Sequence, residues 1–378
     1  MRNKLFRVRE QVKKIILREP FPPLSSITSR EENLSLYRSS RMASSGNCPN
    51  RPLHLLIEVT SKCNLSCKMC NIHHDDKSGI TIDHALLETT FQLAETAHTV
   101  YPFGLGEPLL HPHIVSIVER YKASGSMVSL TTNGMLMNEE ISEGFIAGGL
   151  DYLAISIDAA ETVLLSEIRK GADLKKISDN IMSLNRLKKA RQSKTPYLSL
   201  NVVVQAGNFH QLPMIIRLAE QWNISSVTFS PITVHKHIPK IQNEIVGPEF
   251  IQGKKILEDC GLEAEARGVR IDTRRLDLVL KGSRWDEIYR KTMPCPEPFR
   301  FMVIRANGDI FPCCNWDVNK PVARIDVSKR ISVTDLEEAW RSQKWHALRE
   351  RVVLKNYPAE CRVCMSNFTR PFCDEEIA

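Results

Sequence analysis

Eleven cysteines in a chain of 378 residues are unevenly spaced. Cys63, Cys67 and Cys70 form C-x3-C-x2-C, Cys361 and Cys364 form C-x2-C, and Cys295 and Cys313 stand upstream of that pair. The first residues, MRNKLFRVREQVKK, lack the apolar core of a secretory signal. An odd number of thiols in such a chain argues against a disulfide framework, and short spacings in a reducing compartment point to metal ligation. The ion is either zinc or iron–sulfur. Structural zinc normally closes on four protein ligands, and His73 or His74 could complete the first group. A cubane cluster can instead bind three thiolates and keep one iron open. The second group, Cys295, Cys313, Cys361 and Cys364, offers a full set of four. Spacing alone leaves both metals open.

The elements that must position these groups alternate along the chain. Strands are predicted at Leu53–Val59, Thr99–Gly104, Met127–Thr132, Tyr152–Ile157, Tyr197–Val204 and Ser226–Ser230. Helices are predicted near Asp83–His98, His113–Ser124, Glu139–Ala147, Leu174–Arg191 and Gln211–Trp222. Strands alternating with helices imply βα units and a parallel sheet, and six units suit an incomplete barrel. In α/β barrels chemistry sits on loops after the carboxyl ends of strands. The first cysteine motif, Gly106-Glu107-Pro108, Thr132-Asn133-Gly134 and Ser156-Ile157-Asp158 all fall there.

EVTSKCNLSCKMC (Glu58–Cys70), followed in order by the GEP, TTNG and SID segments, resembles the radical S-adenosylmethionine (SAM) superfamily over about residues 52–232. The resemblance implies a partial (β/α)6 TIM-like barrel. It also implies a [4Fe–4S] cluster on Cys63, Cys67 and Cys70, whose open iron takes SAM and releases a 5′-deoxyadenosyl radical. Gly104, Gly106, Glu107 and Pro108 match a turn that binds the methionyl amino group, with Leu105 interrupting the usual adjacent glycines. Asn133 belongs to the same rim, and Ser156 and Asp158 match positions that contact cofactor or substrate. Met69 stands where the family usually has an aromatic residue.

Downstream, a helix near Phe250–Arg267 precedes a short strand at Val269–Thr273. Phe301–Arg305 and Ile310–Cys313 flank Asn307-Gly308, a hairpin signal, and Asp335–Val353 reads as one helix. This cysteine-rich α+β piece resembles the SPASM extension of radical SAM enzymes in its shortened twitch form. That likeness implies one auxiliary [4Fe–4S] cluster on Cys295, Cys313, Cys361 and Cys364. The expected division is a basic extension over 1–51, the barrel over 52–235, a connecting segment over 236–294 and the auxiliary domain over 295–378.

The formal charge of +7 sits wholly in residues 1–51, with 11 basic and four acidic residues, and the remainder balances at 40 of each. A neutral body without a basic–aromatic stripe disfavours nucleic acid. Residues 2–18 form a basic amphipathic pattern that packs on the main domain, meets an anionic membrane surface or docks an acidic partner. No apolar run approaches the roughly 18–20 residues of a membrane helix, and the expected location is the cytoplasm. The expected reaction is oxidation (dehydrogenation), because an auxiliary cluster with four protein ligands can take an electron but cannot bind substrate. The expected substrate is a small molecule such as a carbohydrate-like alcohol, because the extension is too short for a separate leader-peptide-binding domain. The electron comes from a flavodoxin or ferredoxin. Alternatives are a peptide-modifying maturase and an epimerase, with a zinc-stapled binding module outside the enzyme class. Asp317 is the candidate base, and Cys314 and Cys260 are candidate hydrogen donors.

Overall fold

The computed structural model describes residues 24–43, 46–70, 79–232, 239–248, 250, 252–282 and 294–361. In chain order the strands are β1 (His54–Ile57), β2 (Ser66–Cys67), β3 (Thr99–Tyr101), β4 (Met127–Thr132), β5 (Tyr152–Ser156), β6 (Arg169–Lys170), β7 (Tyr197–Val204), β8 (Ser226–Pro231), β9 (Arg270–Asp272), β10 (Phe301–Ile304), β11 (Asp309–Phe311) and β12 (Ala323–Arg324). The large sheet runs β12-β11-β10-β1-β3-β4-β5-β7-β8-β9, and every pair from β10 to β9 is parallel. Strands β1, β3, β4, β5, β7 and β8 are the six staves of a partial barrel, with β9 added at one edge. The sheet stays open between β9 and β12.

Local chemistry explains the helices that connect the staves. Asp83 caps α1 (His84–Ala94) by accepting from Ala85 N at 2.8 Å. Asn138 caps α2 (Glu139–Ala147) through Ile141 N at 2.8 Å, and Asp173 caps α3 (Leu174–Ala190) through Lys176 N at 3.1 Å. Such caps satisfy amides that the first helical turn leaves without partners. The helix expected over Asp335–Val353 is two, Val333–Arg341 and Gln343–Val353. Ser342 is extended (ψ 149°) and accepts from Trp345 N, so it ends one helix and starts the next.

The strand alternation is unusual for a parallel sheet, whose strands normally read as continuous apolar runs because both faces are buried. In β7, Leu198, Leu200, Val202 and Val204 are buried, while Ser199, Asn201 and Val203 are half-buried. Strand β8 repeats the pattern, with Val227 and Phe229 buried between Ser226, Thr228 and Ser230. The buried set faces the helices: a Cβ on Gly134 would lie 3.2 Å from both Ile155 of β5 and Ile177 of α3. The other set therefore faces the barrel interior.

The C-terminal cysteine-rich part extends the barrel sheet. β10 pairs in register with β1, from His54↔Phe301 to Ile57↔Ile304, and returns antiparallel as β11. The Asn307-Gly308 turn closes this hairpin as expected, with Gly308 at φ +83°, where a Cβ would strike Ile325 O at 2.3 Å. On the other side, residues 24–43 and 46–51 fasten barrel and C-terminal helices together. Arg30 donates to Ala97 O at 2.7 Å, and Arg51 forms a buried ion pair with Glu337. The basic pattern over residues 2–18 lies outside the described residues. Among those described, no helix is long and apolar enough to cross a membrane.

Candidate metal and cofactor site

The loop after β1 carries the three cysteines, and its shape is set by neighbours on other strand ends. Cys70 N donates to Cys67 O at 3.1 Å, folding the last two thiols into one turn. Ser66 and Cys67 form β2, which pairs antiparallel with Lys170 and Arg169 of β6. Arg169 was not singled out by the sequence. Its Nη1 approaches Cys67 Sγ at 4.0 Å, and its Nε stands 2.7 Å from a carboxylate oxygen of fully buried Asp158. That second contact is ionic rather than an aligned hydrogen bond. Burial alone would lower the Arg169 pKa, but Asp158, then Cys67, outweigh it and raise it, so the guanidinium stays charged.

Burial pushes the Cys67 thiol up to about 12 against the pull of Arg169, and it raises Cys63 as well. All three thiols lie within electrostatic reach of one another. Metal binding here must displace protons, since thiolates are the ligands. Among the described residues no three His, Cys, Asp or Glu side chains close tightly enough to grip a single ion. His73 and His74 lie outside the described residues. What the chain supplies, three thiols beside one buried cation, fits an anionic thiolate-held group.

The expected glycine turn is built against this loop. Glu107 N donates to Lys62 O at 2.7 Å, and a Cβ on Gly106 would sit 2.3 Å from Thr60 O and 2.6 Å from Lys62 O. Gly106 is thus required by the backbone of the cysteine loop itself. Gly106→Ala is expected to cost about 2–3 kcal/mol through overpacking, read as a lower denaturation midpoint with weakened SAM binding.

The Glu107 carboxylate is buried and committed inside the protein. It accepts from Thr132 Oγ1 at 2.6 Å, Asn133 N at 2.8 Å and Leu109 N at 3.1 Å. Burial raises its pKa although these donors oppose it. The expectation that this carboxylate could receive an ammonium gives way to a positioning role, joining the turn at Pro108 to the end of β4. Backbone carbonyls of Gly104–Gly106 remain as the acceptors the turn can offer. Asn133 is also a tie: Nδ2 donates to Asn64 Oδ1 at 2.8 Å, and Oδ1 accepts from Met135 N at 3.0 Å. Ser156 lies at the carboxyl end of β5, half-buried.

Glu58 was read only as part of the motif, yet it is a junction. Its Oε2 accepts from Leu105 N at 2.9 Å and Arg305 Nη1 at 2.7 Å. A Cβ on Gly104 would meet the Glu58 side chain at 2.5 Å. One buried carboxylate therefore joins the first stave, the glycine turn and the C-terminal hairpin.

In the second group, Cys295 N donates to Tyr357 Oη at 3.3 Å, and Lys320 pairs with Glu360 at 2.7 Å. These contacts draw together the segments carrying Cys295, Cys313 and Cys361; Cys364 lies outside the described residues. Cys314 is exposed and within electrostatic reach of Tyr101 at the carboxyl end of β3. Asp317 caps its own turn, accepting from Asn319 N at 3.0 Å. Cys260 needs correction as a hydrogen donor. It is fully buried in the helix Gly253–Arg267, and burial pushes its thiol up to about 12, so it is core.

Comparison with known proteins agrees with this geometry. A family model for the radical SAM superfamily matches residues 57–207, and one for the SPASM iron–sulfur cluster-binding domain matches residues 295–365. The tungsten-containing aldehyde ferredoxin oxidoreductase cofactor-modifying protein of Pyrococcus furiosus is 29% identical over 271 residues, 69% of this chain and 70% of that protein. The PqqA peptide cyclase of Gluconobacter oxydans is 24% identical over 327 residues, 84% of this chain and 83% of its own. The crystal structure of Streptococcus suis SuiB bound to precursor peptide SuiA shares the fold at 16% identity with a TM-score of 0.62, covering 84% of this chain and 72% of that one. The chain belongs to the radical SAM superfamily and its SPASM/twitch subgroup, with SAM, a [4Fe–4S] cluster and auxiliary iron–sulfur as its cofactors.

Proposed function

We propose that this radical SAM enzyme modifies a peptide or protein. The observation that carries the reading is the likeness to PqqA peptide cyclase, which spans more than four fifths of both chains. The fold shared with peptide-bound SuiB supports it. The earlier expectation, a small carbohydrate-like alcohol, rested on the length of the N-terminal extension, and these relatives outweigh it.

Cys63, Cys67 and Cys70 hold the cluster, and Cys295, Cys313, Cys361 and Cys364 hold the auxiliary one. When bound, the first cluster and SAM supply a 5′-deoxyadenosyl radical that removes a substrate hydrogen atom. Arg169 offsets the negative charge that three thiolates concentrate beside Asp158. The Gly104–Gly106 backbone presents carbonyls to the methionyl ammonium, and Glu107, Asn133 and Asn64 hold that turn against the cysteine loop. Ser156 offers a hydroxyl on the same rim. A small acidic redox protein of the flavodoxin or ferredoxin type delivers the electron.

Anaerobic holoenzyme incubated with deuterated peptides encoded beside its gene should transfer label into 5′-deoxyadenosine. Label transferred only from deuterated sugar alcohols would overturn the peptide reading. Exposure of Cys314 near Tyr101 favours epimerisation as the second outcome. In heavy water, deuterium at an inverted α-carbon, lost in Cys314→Ala, would identify it. Cys361→Ala is expected to keep reductive SAM cleavage while product falls at least tenfold, measured as the ratio of 5′-deoxyadenosine to modified peptide.

A further inference from the structure

Beyond position 51 the chain balances its charges, with 40 basic and 40 acidic residues, yet one cavity on the outside of the barrel does not. It lies at the amino-terminal end of the staves, away from the cysteine loop, between the second half of α3 and the start of β7. Arg186, Lys188 and Lys189 of α3 and Lys194 of the following loop line it beside Met182 and Tyr197, and no acidic side chain does. Among the described residues none of these four cations has a carboxylate partner; Lys188 Nζ donates to the Pro196 carbonyl at 2.6 Å. The acids on flanking elements are already taken. Lys122 holds Asp151 at 2.7 Å, Lys175 holds Asp179 at 2.6 Å, Arg191 holds Glu143 at 3.1 Å, and Arg267 pairs with Glu220.

Basic residues in the last turn of a helix are ordinary, since they complement its dipole. That accounts for Lys188 and Lys189 but not for the whole set. Arg186 precedes that turn and shares a helix face with Met182 and Lys189, while Lys194 arrives from the loop. Burial lowers the pKa of half-buried Lys188, and no carboxylate raises it again. A cation so placed is completed by an anion from outside the fold.

The apolar part of the lining decides which anion. Met182 is 39% and Tyr197 50% exposed, and the Tyr197 ring stacks on Tyr152 of β5 at 5.6 Å between centroids. The cavity holds about 540 Å³, inside the roughly 300–1,000 Å³ of ligand sites and far beyond what one inorganic anion fills. Several carboxylates with an apolar side chain among them match both halves of the lining.

We propose that this cavity docks an acidic stretch of the peptide substrate, set apart in sequence from the residue that is modified. This deepens the peptide-modifying reading and rests on it. Tyr197 opens β7 and Val204 ends it on the rim, eight residues that span about 23 Å at roughly 3.3 Å per step. A substrate held here reaches the cysteine loop only where at least about seven residues of extended chain separate the acidic stretch from the reacting residue. Docking at that distance raises the effective concentration of the reacting residue without adding a group to the rim.

The test uses anaerobic holoenzyme with SAM. The probes are a short dye-labelled oligoglutamate with one photoreactive leucine, the same peptide built from lysine, and dye-labelled ATP. The glutamate peptide should bind, the lysine peptide should not, and the photoreactive leucine should attach to the segments carrying Met182 and Tyr197. Arg186→Glu/Lys189→Glu changes two exposed residues. It should weaken binding about tenfold, the loss of two surface ion pairs with repulsion in their place. Dithionite-driven SAM cleavage should stay unchanged in that variant, which shows an intact fold. For a substrate peptide found by label transfer, the same variant should raise KM about tenfold at constant kcat. No binding, undiminished affinity in the double variant, or attachment confined to residues 1–23 would overturn the docking site. So would ATP binding that the double variant abolishes while the glutamate peptide stays unbound. Peptide binding that appears only after deletion of residues 374–378, which include Asp374, Glu375 and Glu376, would assign the cavity to the chain's own acidic segment instead. All these outcomes leave the peptide reading standing, whereas label transfer from sugar alcohols alone would remove that reading and the substrate assignment with it.

Discussion

Cys67→Ala is expected to bring SAM cleavage below detection, a loss on the order of 10³-fold or more, while the protein keeps its auxiliary iron. The site holds three thiols on one loop, and a cluster bound by two protein sulfurs has lost a third of its anchoring ligands. Cys67 is also the thiol on β2, paired with β6 and nearest Arg169. Removing it takes from that buried guanidinium the second of its charge partners after Asp158, leaving Cys70 as the thiol that still acts on it. The measurement is iron content with 5′-deoxyadenosine release under dithionite: iron should fall by about one cluster, and release should vanish. Cys67→Ala retaining full iron and cleavage would end the assignment of Cys63, Cys67 and Cys70.

The second large effect is expected at Arg305. Glu58 and Arg305 are both nearly buried, and Glu58 also accepts the Leu105 amide. Arg305→Met strands a carboxylate in a site shaped for a pair. Breaking such a pair from one side costs about 3–5 kcal/mol, whereas replacing both partners costs much less. Arg305→Met should therefore lower the denaturation midpoint sharply, and Glu58→Gln/Arg305→Met should recover part of the loss. Because Glu58 Oε2 also holds the glycine turn, SAM affinity should fall with stability in the single variant although Arg305 touches no cysteine. A single variant with unchanged stability, or a double variant whose losses simply add, would show that the pair contributes nothing jointly.

Much of the barrel was legible because its signals are local. β4 over Met127–Thr132 and the helix Glu139–Ala147 have the expected bounds, since strict alternation and an Asn138 cap leave little freedom. What escaped was made by distance. Arg169 follows a short helix, and its importance arises only when β6 meets β2 about a hundred residues earlier in the chain. The Arg-Lys-Gly sequence, with Gly171 at φ +96°, was the one hint of a turn there. Glu58 sat in plain view inside the cysteine motif, but its partners Leu105 and Arg305 come from two other segments. Glu107 was recognised as part of the site, and its role changed because burial and three internal donors are invisible in sequence. Cys260 failed for the opposite reason, since a thiol on a helix gives no sign of which layer it faces.

The β1–β10 pairing has a practical consequence for anyone dissecting the protein. The family models suggest two modules, and the gap between residues 207 and 295 invites a cut. A chain truncated before Cys295 would strip β1 of the neighbour that covers its edge along four residues. It would present raw ladder groups next to apolar Leu55 and Ile57, a template for self-association. The N-terminal half is therefore expected to precipitate rather than survive as a small soluble catalyst, and trimming for crystallography or engineering should spare Phe301–Ile304.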